Sequence, residues 1–324
     1  MKVSAEELRG LIVDILLQRG LEEPQIVAEH FVEAELRGHS SHGVQRVVPL
    51  VKGLELGTIR RKLEFKVVKE TPSSLLIDAM HSVGITLWAS LIQRSFQEPI
   101  SIIAVRNASH IGFLGYYTER LARKGYVTLM IGNAEPSVVF PGKRLRVLST
   151  TPISISIPHE PPFVLDMALS ATSRGKIIES LRRGEPIQPG LAVDEEGNPT
   201  TDPGKALRGG LLPMGGTKGF FLMLGIELLV SFITGSAVGP EVKGVLNTEN
   251  PPNKGEVLIV INPQFLESNI GALSSMRGIL DAPLPGEHSL LTREKRLREG
   301  IDIDETLWKT LMDLRNKNPY FSGG

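Results

Sequence analysis

The chain has 324 residues, 41% of them hydrophobic, enough for one large domain or two ordinary ones around a sizeable core. Thirty-six basic residues balance 36 acidic ones, and a net charge of zero argues against a general affinity for nucleic acid or an anionic membrane. With no cysteine there are no disulfides or thiolate metal sites, and no apolar signal segment opens the chain, so a soluble cytoplasmic protein is expected.

Ser4 and Glu7 form an S-x-x-E capping box, and Leu8, Leu11, Ile12, Ile15 and Leu16 follow on one helical face until Gly20. A second helix is expected over 24–38, opened by Pro24, and a third from Gly43 to near Gly57. Composition then changes. Strands are expected at 63–69 and 74–78, a helix at 83–97, a buried strand rich in β-branched residues at 100–106, a helix at 114–124 and a strand at 127–132. Further strands are expected at 153–157, 163–166 and 257–261, while 188–216, rich in Gly, Pro and Asp, reads as loops. The longest apolar run, Phe220 to Ile233, is too short to span a bilayer and reads as a buried helix. The tail, 292–314, reads as a charged helix able to pack on the N-terminal helices, with the α/β middle inserted between the two ends.

Two stretches concentrate chemistry. Three of the seven histidines fall in Arg37-Gly38-His39-Ser40-Ser41-His42-Gly43-Val44-Gln45-Arg46 and Asn107-Ala108-Ser109-His110-Ile111-Gly112. Histidine moves protons near neutral pH and arginine grips a carboxylate two-pronged. His39 and His42 have metal-ligand spacing, but no nearby carboxylate or cysteine completes a set, so no metal is expected. Helix capping is open to either histidine. Contact of His42 with substrate or cofactor, supported by Ser41 and Arg46, is the favoured reading. His110 follows the strand at 100–106, where open α/β sheets bind ligands. It suits a general acid/base, oriented by Asn107 and Ser109 with space cleared by Gly112; a helix N-cap is the bland alternative. Gly215-Gly216-Thr217-Lys218-Gly219 could cradle phosphate at a helix start or simply form a glycine turn. Asp166-Met167-Ala168-Leu169-Ser170, with Gly175-Lys176 downstream, ends a strand and could line a ligand or only turn the chain. Neither a Walker A loop nor G-x-G-x-x-G after a strand is present.

In this order the segments resemble the type-2 malate/L-lactate dehydrogenase family, which includes sulfolactate and ureidoglycolate dehydrogenases and cyclic imino-acid reductases. The resemblance spans nearly the whole chain and adds Gly115-Tyr116-Tyr117, 194–203 and Leu284-Pro285-Gly286-Glu287 to those markers. It implies a homodimer whose helical domain (1–60 and 289–324) carries an inserted α/β domain (61–288), with a mixed sheet that binds NAD or NADP, NAD slightly preferred, without a Rossmann fold. It places the acid/base role on His110, the substrate carboxylate on Arg46, and His42 with Ser41 in the polar shell. Cofactor contacts would come from His42, Asn133, Asp166, Met167, Ala168, Gly215, Gly216 and Lys218. Leu50, Asn133-Ala134, 148–152 and a short 265–284 stretch depart from the family pattern. The implied activity is interconversion of a small 2-hydroxy acid and its 2-oxo acid. Reduction of cyclic imino acids, or non-catalytic carboxylate or nucleotide binding, are the alternatives.

Overall fold

The computed structural model describes residues 1–269 and 271–317, so the last seven residues of the expected helical domain lie outside the described residues. Strand β1 (Lys2–Val3) leads into α1 (Ala5–Leu17), where the Ser4 hydroxyl accepts from the Glu7 amide at 3.1 Å. The five apolar residues expected on one face of α1 are its buried ones. Helices α2 (Pro24–Leu36) and α3 (Val47–Leu56) are separated by two 3-10 turns, Ser40–His42 and Val44–Arg46. One core joins these helices to the far end of the chain: Leu8, Ile12, Phe31 and Leu54 pack in the same cluster as Ile301, Ile303 and Leu311.

The middle of the chain supplies β2 (Lys66–Thr71), β3 (Ser74–Asp78), α4 (Gly84–Leu91), β4 (Ile100–Arg106), α5 (Gly115–Arg123) and β5 (Val127–Gly132). Strands β6 (Val138–Val139), β7 (Arg146–Leu148), β8 (Pro152–Ile157) and β9 (Phe163–Ala168) precede α6 (Arg174–Arg183). Then come β10 (Ala192–Val193), β11 (Pro199–Thr200), α7 (Pro203–Arg208), β12 (Gly210–Leu211), α8 (Gly216–Thr234) and β13 (Gly255–Ile261). The chain closes with α9 (Ala272–Leu280), α10 (Glu287–Glu299), β14 (Ile301–Asp302) and α11 (Glu305–Asn316). Seven strands form one mixed sheet in the order β2-β3-β4-β13-β5-β8-β9, in which only β3 and β4 run parallel. Helices α4 and α5 cover it through Trp88, Leu91, Tyr117 and Leu121, and α8 through Val230.

Four expectations need correction. Residues 188–216 are not only loop: β10, β11 and β12 join β6 and β7 in a second, five-stranded sheet. Its two- and three-residue strands are too short to show a period of two. Helix α4 stops at Leu91, well short of residue 97. The tail is two helices, broken at Gly300, whose φ of 87° no helix can hold, and β14 then pairs antiparallel with β1 to tie the chain ends together. Lastly, α8 is not a buried helix. Its buried residues, Phe220, Met223, Glu227, Val230 and Thr234, make one stripe at helical spacing, while Phe221, Leu222, Leu228, Leu229 and Phe232 face outward, Phe232 with 92% exposure. By length and composition α8 could cross a membrane, yet Glu227 pins it to the sheet. That buried carboxylate accepts from the Asn133 amide at 3.1 Å and the Gly239 N–H at 3.0 Å.

Candidate active site

The turn after α2 is built over a buried carboxyl. Glu35 accepts from the Val44 N–H at 3.0 Å, and Gly43 lies so close that a Cβ there would stand 2.1 Å from Glu35 Oε1. Burial pushes Glu35 up to about 7 against the pull of the Val44 amide. Folded on this support, the Ser41 hydroxyl shares a 2.9 Å hydrogen bond with Nδ1 of His42, and Arg46 Nε donates to the Ser41 carbonyl at 2.7 Å. Among the described residues the terminal nitrogens of Arg46 make no hydrogen bond or ion pair, and only Nε is engaged.

The second stretch leaves β4 through Asn107, held at φ 62° by two 3.0 Å bonds from its amide to Asp78. Ser109 accepts from the Gly84 N–H at 3.1 Å. Both side chains therefore fix the loop and neither orients the His110 ring, contrary to the expectation from sequence. Gly112 clears space for His30 rather than for a ligand: at φ 77°, its Cβ would fall 1.7 Å from His30 Nε2. That nitrogen accepts from the Phe113 N–H at 3.1 Å. The rings of His42 and His110 stack at 5.7 Å and 19°. Burial, then Arg46, His42, Lys254 and His30, hold His110 well below the ordinary imidazole range; burial, then Arg46 and His39, hold His42 at about 3. Both rings are neutral at physiological pH. Among the described residues His110 Nε2 is buried with no hydrogen-bond partner.

These groups open on a cleft of about 930 Å³. Ser41, His42, Arg46 and His110 line it, and so do Asn133, Asp166, Met167 and Ala168 at the ends of β5 and β9. The Asn133 side chain is fully engaged, donating to Glu227 and the Ala237 carbonyl and accepting from the Gly255 N–H at 2.8 Å. Asp166 accepts from the Gly115 N–H at 2.7 Å, and burial raises it to about 6. Gly215, Gly216 and Lys218 are not brought to the cleft: they stand exposed at the start of α8, beyond Met214, which does line it. Among the described residues no three His, Asp or Glu side chains converge as a metal-ligand set.

Sequence reasoning missed several lining residues. Arg146 and Arg174 reach the cleft, the latter because Gly175 packs against Ser41, where a Cβ would sit 2.2 Å from the serine Cβ. Lys254 and Glu256, with 4% and 1% side-chain exposure, meet end to end below it. Burial lowers Lys254 to about 7. A signal existed for Arg174 alone, since it neighbours the Gly175-Lys176 pair beyond β9.

A family model described as malate/L-lactate dehydrogenase matches residues 3–312. The L-sulfolactate dehydrogenase of Methanocaldococcus jannaschii is 36% identical, covering 98% of this chain and 97% of that protein. The malate/(S)-sulfolactate dehydrogenase of Methanothermus fervidus is 34% identical, covering 98% of each. A solved dehydrogenase from Sinorhizobium meliloti superimposes with a TM-score of 0.91 at 34% identity, over 97% of this chain and 98% of that one. Similarity of this length sets the chain among the dehydrogenases. It belongs to the malate/L-lactate dehydrogenase family.

Proposed function

We propose that the protein interconverts a small 2-hydroxy acid and its 2-oxo acid, with NAD or NADP as hydride carrier. The observation that carries this reading is the unpartnered, buried Nε2 of a neutral His110, in a cleft that also holds Arg46. A cleft of about 930 Å³ has room for a cofactor and a small acid together. Asp166, Met167, Ala168 and Asn133 would hold the cofactor, on a mostly antiparallel sheet rather than a doubly wound parallel one. When bound, the nicotinamide supplies or accepts the hydride.

The protein's own groups then do three things. With Nε tied to Ser41, Arg46 presents its terminal nitrogens to the substrate carboxylate and fixes the reacting carbon. That carboxylate neutralises the largest charge pressing on His110, so substrate binding itself makes the imidazole more basic. His110 takes the hydroxyl proton at Nε2 during oxidation and returns it during reduction, while the stacked His42 ring keeps its plane.

Residues 1–60 and 289–324 would form one helical unit around 61–288. A second copy of the chain would cover Phe221, Leu222, Leu228, Leu229 and Phe232 on α8, since so many large apolar groups on one helix face favour association. The reaction is tested by following NADH and NADPH absorbance with a panel of 2-oxo acids and one cyclic imine. No oxidation of either cofactor with any 2-oxo acid overturns this function.

A further inference from the structure

Among the described residues three side chains line both the main cleft and a second cavity of about 10 Å³ beside it: Arg46, His110 and Val245. Two of them are the groups the proposed function uses. The third is apolar, buried and part of no helix or strand. Val245 stands in residues 244–250, and among the described residues this segment forms no backbone–backbone hydrogen bond. Side chains hold it instead. At its far end the Thr248 hydroxyl donates to the Pro49 carbonyl at 3.0 Å, and the Thr58 hydroxyl donates to the Thr248 carbonyl at 2.5 Å. At its near end a single oxygen gathers the chain. Glu135 Oε1 accepts from the backbone N–H groups of Val245, Leu246 and Asn247 at 2.9, 3.2 and 3.1 Å.

Glu135 is itself firmly placed. It follows β5 between Asn133, whose side chain is held by Glu227, Ala237 and Gly255, and Ser137, whose N–H donates to the Leu148 carbonyl at 2.8 Å. A carboxylate binds N–H groups about twice as strongly as a neutral acceptor, so one side chain can replace the main-chain pairing this segment lacks. Without it three donors would have to find water, and the wall they carry would be free to shift. A shift of about 1 Å beside the reacting carbon is enough to spoil the alignment of an imidazole with its substrate. Resting on the function proposed above, we infer that Glu135 is a positioning residue for the 2-oxo acid. By gathering three backbone N–H groups it holds Val245 against Arg46 and His110, and so shapes the place where the acid meets the imidazole.

The test compares wild type, Glu135→Gln and Glu135→Ala by hydrogen–deuterium exchange, and by kinetics with the cofactor and 2-oxo acid that wild type turns over fastest. In Glu135→Ala the amides of 245–247 should exchange roughly 10- to 100-fold faster, the scale of one charged hydrogen bond. The kcat/KM for the acid should fall by roughly 10- to 100-fold. The KM for the cofactor should stay within a few-fold, because Asn133 and Asp166 keep their own partners. Glu135→Gln, whose amide oxygen can still accept, should restore most of both losses. A carboxylate with a merely structural role would leave the kinetics of the folded enzyme unchanged, and that result overturns the inference, as does unchanged exchange. Gln as damaging as Ala would make charge rather than position the cause, and an equal rise in both KM values would detach Glu135 from the acid; either outcome also overturns it. If Glu135→Ala does not fold, Glu135→Asp, one methylene short of the three N–H groups, is read in the same way. Should wild type reduce no 2-oxo acid, the proposed function fails and exchange alone judges Glu135. Loosening of 245–247 in Ala with recovery in Gln supports its hold on the wall; unchanged exchange overturns it.

Discussion

The imidazoles of His42 and His110 lie 5.7 Å apart at 19°, parallel enough that each ring limits the tilt of the other. Only His42 has a fixed partner, the Ser41 hydroxyl at 2.9 Å. Orientation therefore passes from the Ser41 loop through His42 to His110, whose Nε2 has no hydrogen-bond partner among the described residues. Truncating the acid/base ring should be severe for turnover and mild for cofactor binding. His110→Ala should lower kcat by about two to four orders of magnitude. Fluorescence titration should find NADH affinity within a few-fold of wild type. Near-normal turnover across pH in this variant would remove His110 from the mechanism.

Gly112 holds the same loop from the other side. At φ 77°, with His30 Nε2 1.7 Å from where a Cβ would be built, alanine has neither the backbone conformation nor the space. Gly112→Ala should break the Phe113 N–H to His30 bond and destabilise the fold by roughly 2–4 kcal/mol, combining left-handed strain with overpacking. Turnover should fall with it, because His110 is two residues away. Urea unfolding gives the stability; a loss under half a kcal/mol would mean that the loop moves freely off His30.

The parts of this molecule with a long, single-environment pattern are readable from sequence. Strands β4 and β5 fall on the expected residues because a central strand buried on both faces is a run of apolar, β-branched side chains. Ser41, His42, Arg46 and His110, singled out in sequence for their two histidines beside glycine and small residues, are brought to one cleft. Helix α8 is unreadable because its buried stripe and its exposed face are equally apolar, so no periodicity separates Val230 from Phe232. Lys254 and Glu256 look like the solvated start of a strand, and only the pairing of β13 between β4 and β5 puts them inside. Glu35 is hidden in the same way, as a charged residue late in an amphipathic helix.

Proton linkage should give stability a definite slope on the acid side. His30, His39, His42 and His110 all have folded-state values below 6.5, at about 4 for His39 and about 3 for His42. Unfolding below pH 6.5 thus takes up protons, and the stability these neutral rings contribute, complete above 6.5, is lost as pH falls. Glu35 at about 7, Asp166 at about 6 and the raised Glu227 act oppositely, since folding keeps their protons on. Four imidazoles against three carboxyls leave a net uptake of about one to two protons at pH 5.5, or roughly 1.4–2.7 kcal/mol gained per pH unit between 5 and 6. Urea titrations at pH 5, 5.5 and 6 check the sign; a flat or falling curve contradicts it.

Lys254, just ahead of β13, and Glu256 within it stand two residues apart, their charged ends meeting almost without solvent. Removing one partner of such a pair costs more than the pair contributes, because the other charge is left buried alone. Glu256→Gln should therefore destabilise the protein by about 3–5 kcal/mol near pH 6, where Lys254 is still protonated in wild type. The penalty should shrink toward pH 9. Burial lowers Lys254 to about 7, far below its unfolded 10.5. A lysine so depressed favours the folded state more as pH rises, and once neutral in both proteins it no longer needs the carboxylate. Adding Lys254→Met to Glu256→Gln should recover part of the loss, a coupling of about 0.5–3 kcal/mol. Lys254 also presses on His110, so the double variant should shift the pH profile of kcat upward as that cation is removed. Strictly additive losses, with the same penalty at pH 6 and pH 9, would mean that the two side chains do not sense each other's charge.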